Sequence, residues 1–197
     1  NREKEVLGFY VSGNPLDQYQ EVIPLVVNVD IAELQSLGDE RYVRAAGIVS
    51  NYSRKVSRKG ESYARFFLED LSGRIEVMVF PAALRNNGRQ IQPDAPLVVE
   101  GFLDFRDDSP KISLRKALPI PGRLRELFVR LNGEADDENV KEKLLEILGE
   151  YPGSLDVILM LNGNRGIVLN KPYQVAASHE LKQRLQSLYG RYNVWFN

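Results

Sequence analysis

Residues 62–80 read SYARFFLEDLSGRIEVMVF. Ala64, Phe66 and Leu68 fall on one side of an extended chain, and Tyr63, Arg65 and Phe67 fall on the other. Asp70, Leu71, Ser72 and Gly73 supply turn chemistry, and Ile75, Val77 and Val79 then resume the alternation. The spacing predicts a strand over 62–69, a tight turn, and a second strand over 74–80.

Working outward, the period of two also covers 42–53. There Val43, Ala45, Gly47 and Val49 alternate with Arg44, Ala46, Ile48 and Ser50. Downstream, Pro81 opens a short helix through about Asn86. Strands are expected at 96–103 and 111–117, with an acidic loop at 104–110 between them. Five short strands with a helix between the third and fourth are the order of an OB-fold, a small partly open barrel. A glycine-bearing first strand followed by F-x-L-x-D and S-G-x-I-x-V fits the same fold. An SH3-like barrel is the alternative, and the strand count and interposed helix weigh against it.

The flanks differ in character. Residues 1–40 are expected to be a helical lead-in. A helix ends over 2–11, Gly13-Asn14-Pro15 breaks it, and short helices follow at 16–22 and about 30–36, the latter with Asp30 as N-cap. The chain opens inside helical pattern, which suggests a piece of a longer protein. Pro119-Ile120-Pro121-Gly122 marks a boundary. Beyond it a small α+β domain is predicted. It has a strand at 124–131, a helix at 137–149 capped by Asp136 or Asp137, and strands at 155–161 and 166–170 joined as a hairpin. A helix capped by Ser178 and ended by Gly190 follows, then a last strand over 191–196. The organisation read is thus 1–40 lead-in and linker, 41–119 OB-fold, 120–197 α+β domain.

The formal net charge is −1, which excludes a uniformly basic binder, but the charge is unevenly spread. Residues 1–40 carry 2 basic and 8 acidic side chains, net −6, while 41–119 carry 14 and 9, net +5. Only the middle of the chain offers an attractive field to phosphates. Cysteine is absent, which excludes disulfides and thiolate metal sites and fits a reducing, cytoplasmic setting. No apolar run approaches the length of a membrane span. His179, the single histidine, has neither a cysteine nor a second histidine to complete a dyad. Asp107-Asp108 and Asp136-Asp137 read as a loop tip and a helix N-terminus rather than cation sites. The residues therefore predict no catalytic group, metal or cofactor, and a monomer.

Binding residues are more legible. OB-folds meet single strands on the face of strands two and three, flanked by the loops between strands one and two and between four and five. The first loop here carries Arg54, Lys55, Arg58 and Lys59; strand two offers Tyr63, Arg65 and Phe67 outward, and Arg74 opens strand three. Cations neutralise phosphates and rings stack on unpaired bases. Asp104, Asp107 and Asp108 in the other loop predict a contact that is lopsided and weak. In the last strand, Trp195 points away from the face of Tyr192 and Phe196. These three aromatics are the predicted contact for a protein partner, against the alternative that Trp195 packs within its own domain.

EKEVLGFYVSGNPLDQY (3–19), VRAAGIVS (43–50), SRKGE (57–61), LEDLSGRIEVMVF (68–80) and LVVEGFL (97–103) resemble the C-terminal region of the bacterial replicative polymerase family, the DNA polymerase III α subunits. Asn14 departs from the histidine usual there. The resemblance implies that the polymerase carboxylates, the phosphoesterase domain and the segment that binds the sliding clamp all precede this chain. It also implies that the OB domain attends single-stranded template and that the C-terminal domain docks the clamp-loader τ subunit. The expected function is thus a non-catalytic accessory region of a DNA-directed DNA polymerase. The alternatives are an interaction scaffold with the barrel as spacer, and an RNA-binding module like the anticodon-reading domains of tRNA synthetases.

Overall fold

The computed structural model describes residues 14–38, 41–106, 109–131, 138–161 and 165–197. The helix expected over 2–11, the Asp107-Asp108 pair and the Asp136 or Asp137 cap lie outside them. Strands β1 (Tyr42–Val56), β2 (Ser62–Glu69), β3 (Arg74–Val79), β4 (Pro96–Asp104) and β5 (Lys111–Pro119) close into a barrel in the order β1-β2-β3-β5-β4, with α2 (Pro81–Asn87) between β3 and β4. The barrel closes through parallel pairing of β3 with β5 and antiparallel pairing of β4 with β1, so its strands leave no open edge. It is the OB-fold that the strand order predicts.

β1 is three residues longer than its apolar pattern. Arg54↔Ala64, Lys55↔Tyr63 and Val56↔Ser62 keep pairing out to an exposed tip. Backbone bonding continues there after burial has stopped, so periodicity under-reads the strand. Two local features let β1 serve both β4 and β2. At Gly47 a Cβ would lie 2.7 Å from the Glu69 carbonyl oxygen, so only glycine allows the two strands to approach this closely. A bulge between Ser50 and Ser53, with Asn51 at φ 50°, then bends the strand.

The barrel interior is filled by Val43, Ala45, Val49, Phe66, Leu68, Val77, Val99, Ile112 and Leu114. The outer side of β1 is also covered, because the lead-in lies on it. Residues 14–38 form a 3-10 turn at Asp17–Tyr19, a short helix α1 (Ile23–Val26) and a 3-10 helix at Ile31–Ser36. The expected helix at 16–22 is therefore displaced, because Pro24 starts the helical turn at α1 instead. Asp30 does cap the next element, in a box with Glu33. The segment is no simple linker. Val29, Ile31 and Leu34 join the barrel core, and Leu16, Val26 and Val27 pack with Ala46, Val98 and Ile120 outside it. Leu25 enters the core of the C-terminal unit.

That unit is a sheet in the order β8-β7-β6-β9, built from β6 (Glu126–Arg130), β7 (Pro152–Leu161), β8 (Arg165–Val168) and β9 (Val194–Phe196). Helix α3 (Glu138–Gly149) carries the crossover between the parallel β6 and β7, and α4 (His179–Tyr189) leads back to β9. The helices bury Leu144, Leu148, Leu181 and Leu185 with Leu127, Val129 and Phe196. Ser178 caps α4 by accepting from the Leu181 N–H at 3.1 Å. The last strand is shorter than expected. Gly190 at φ +89° leads into a 3-10 turn at Arg191–Asn193, and only three residues then extend.

Candidate nucleic-acid interface

The β1–β2 hairpin ends in a tight turn. The Ser57 N–H donates to Glu61 O at 2.8 Å, the Gly60 N–H donates to Ser57 O at 2.9 Å, and Gly60 sits at φ +79°. Arg54, Lys55, Arg58 and Lys59 are all exposed around it. No ion pair engages these four among the described residues. A tip so short cannot bury charge, so its cations stay available to a polyanion.

Below the tip, β2 buries Ala64, Phe66 and Leu68 and turns Tyr63, Arg65 and Phe67 outward, as the alternation predicts. Neighbours modify what this face offers. The Arg74 guanidinium lies 4.9 Å from the centroid of the Phe67 ring, so one Phe67 face is already taken by a cation. Arg65 and Lys111 each approach Glu76 at 3.5 Å, so one carboxylate sits within the basic surface. Tyr63 has no ring partner among the described residues and is the more open platform. A groove of about 640 Å³ runs between this hairpin and α2, bordered by Arg54, Arg85 and Arg89.

In the opposing loop, Asp104 has its own counter-charge. Arg106 Nε donates to both Asp104 carboxylate oxygens, at 2.9 and 3.0 Å. This hydrogen-bonded cation holds Asp104 well below the ordinary carboxylate range, at about 2. Its negative charge is thus permanent but locally matched.

The aromatic contact expected at the C-terminus is corrected. Phe196 is fully buried in the C-terminal core, and Trp195 is 9% exposed. Trp195 stacks on Phe128 at 5.4 Å with planes 4° apart, and Arg130 lies 5.2 Å from its ring centroid. Tyr192 packs on the barrel core, with Arg41 5.1 Å from its ring centroid. Phe196 faces the helices of its own unit, while Trp195, on the other side of the sheet, is covered by Phe128, Arg44 and Arg130.

Two buried cations escaped the sequence reading. Arg44, 3% exposed, pairs with Glu100, donates from Nε to Val26 O at 2.6 Å, and reaches Asn197 Oδ1 at 3.1 Å. Burial lowers its pKa, and Glu100 opposes that effect. Lys182, 5% exposed, donates to Pro24 O at 2.6 Å and also to Val27 O. Together they fasten the carbonyls of the α1 segment to the barrel and to α4. A basic residue inside the apolar run Val43–Ala46 is the one sequence signal that could have revealed Arg44. Lys182 sits on a helix rich in charge and gives none. Among the described residues no three His, Asp or Glu side chains converge as a metal site, and no helix is long and apolar enough to cross a membrane.

Residues 43–120 match the OB-fold nucleic acid binding domain family. The chain is similar to proteins named DNA polymerase III subunit alpha. It is 28% identical to that of Saccharopolyspora erythraea and 30% identical to that of Mycobacterium tuberculosis, each over 204 residues covering 95% of this chain. The chain spans only 17% of the length of those relatives. Among solved structures, the second OB-fold domain of replication protein A from Methanococcus maripaludis aligns over 49% of this chain and 100% of its own, with TM-score 0.34 and 16% identity.

Proposed function

Since this chain is a relative of bacterial DNA polymerase III α subunits along 95% of its length and carries an OB-fold nucleic acid binding domain, we propose that it holds single-stranded template DNA beside a polymerase active site that lies outside these residues. The observation that carries this reading is the exposed quartet Arg54, Lys55, Arg58 and Lys59 above the outward Tyr63, Arg65, Phe67 and Arg74. A polymerase must slide along its template, so an electrostatic, sequence-tolerant grip suits the task. The division into 1–40, 41–119 and 120–197 belongs to the same reading, with residues 14–38 acting as a fastener between the other two parts. The parent chain is then a DNA-directed DNA polymerase of the cytoplasm.

About four phosphate contacts to a single strand give a log–log salt slope near −3. Fluorescence anisotropy with labelled oligo-dT reads it. Changing all four hairpin cations to alanine is expected to abolish most of the affinity and flatten the slope; an unchanged slope would sink the assignment. Matched RNA competing as well as DNA would favour the RNA-binding alternative.

For residues 120–197 we infer, from the family resemblance, docking of the clamp-loader τ subunit. Burial of Trp195 and Phe196 moves that contact elsewhere. The exposed large apolar side chains of this part, among the described residues, are Ile167 and Val168 on β8. A pull-down of the intact chain against τ, repeated with both changed to serine, tests this; capture unchanged by the substitutions would move the contact off β8.

A further inference from the structure

A cleft of about 550 Å³ lies between the outer face of the barrel and the side of the C-terminal sheet that carries Phe128 and Trp195. Arg115 and Lys116 of β5 and Arg130 of β6 border it, with Tyr42, Phe128 and Trp195. Its one carboxylate, Glu100, is held by the buried Arg44 and by the Tyr42 hydroxyl, which donates at 2.8 Å. That leaves Arg115, Lys116 and Arg130 without a carboxylate partner among the described residues. Arg130 lies over both walls, 4.9 Å from the centroid of Tyr42 and 5.2 Å from that of Trp195. Phe128, half-buried and stacked on the buried Trp195, is an aromatic side chain on the cleft wall beside these cations.

We propose that this cleft is a second contact for a single nucleic-acid strand, with Arg115, Lys116 and Arg130 meeting phosphates and Phe128 receiving a base. Three cations with no carboxylate partner among the described residues select a polyanion, and an aromatic wall beside them selects one with planar groups. The cleft also connects to the hairpin face. β5 pairs with β3, and its outward residues run from Lys111, beside Glu76, through Ser113 to Arg115 and Lys116. A strand that crosses β2 and β3 can therefore continue along β5 into the cleft. The proposal rests on the single-strand reading above for its ligand class, but not for its location.

The test uses the intact chain, oligo-dT of roughly 6 and 16 nucleotides, within the range one OB-fold can hold, and the double variant Arg115→Ala/Lys116→Ala. Both side chains are exposed, so the fold tolerates their loss. The expected result is an affinity for the longer oligomer lowered about twentyfold near 0.1 M salt, with the salt slope reduced by about 1.4. The hairpin quartet variant serves as the parallel arm. If it weakens binding while the β5 variant leaves affinity and slope untouched, the cleft is empty of nucleic acid and the proposal falls, with the hairpin reading intact. If only the β5 variant weakens binding, the cleft stands and the hairpin reading falls. If oligo-glutamate binds with the same dependence on Arg115 and Lys116 while oligo-dT binding does not depend on them, the cleft takes an acidic protein segment instead, and the proposal is overturned.

Discussion

Lys182 shows how far one side chain can depart from its appearance in sequence. It stands on a helix of mixed polar and apolar residues, yet its ammonium is enclosed by the Pro24 and Val27 carbonyls. Burial pushes its pKa down from 10.5 to about 8, aided by Arg191 and Arg44 and opposed by Asp30. A lowered lysine pKa means that the unfolded chain binds the proton more tightly than the folded one. Between pH 8 and pH 10.5 the contribution of Lys182 to stability should therefore rise with pH, and below that window it should be flat. Urea denaturation of the wild type and of Lys182→Met at pH 7, 8, 9 and 10 measures this. The gap between them should shift toward the wild type as pH rises; a constant gap would mean that the ammonium is well solvated. Such a position is invisible to periodicity, because only the distant α1 segment makes it interior.

At the scale of elements, the strands of the barrel were legible because each buries alternate side chains on one face. Where burial is one-sided, as in β2 and β3, sequence and structure agree closely. Where a strand is buried on both faces, as in β1, or outlasts its own burial, as at the hairpin, pattern alone misplaces the end. Gly47 is where β1 lies too close to β2 to admit a side chain. Gly47→Ala would place a methyl 2.7 Å from the Glu69 carbonyl and 2.9 Å from Leu68 Cγ. Backbone cannot yield as a flexible side chain would, so the cost should be about 1–3 kcal/mol. Thermal denaturation should show the loss, and an unchanged midpoint would show that β1 and β2 can separate locally. The last strand failed for a related reason. The alternation over 191–196 is real in composition, but Gly190 imposes a 3-10 turn that consumes half of it.

At the scale of the whole molecule, the lead-in is what the sequence reading most undervalued. It contributes to all three apolar clusters, and the Glu33–Arg191 ion pair, at 2.6 Å, ties it to the C-terminal unit. Leu34 lies outside the barrel strands but is fully buried in the barrel core. Leu34→Ala should therefore destabilise the chain by about 2–5 kcal/mol. A residue of a mere tether would cost within about 0.5 kcal/mol, and urea titration of the intact chain distinguishes the two. The sequence by itself determined the barrel, its strand order, the outward Tyr63, Arg65 and Phe67, and the cationic hairpin, because each follows from local alternation and local charge. Only the tertiary structure decided that Trp195 and Phe196 turn inward, that Arg44 and Lys182 are buried, and that a basic cleft forms between barrel and sheet. Those features depend on which surfaces meet across long separations in the chain, and no local period records that meeting.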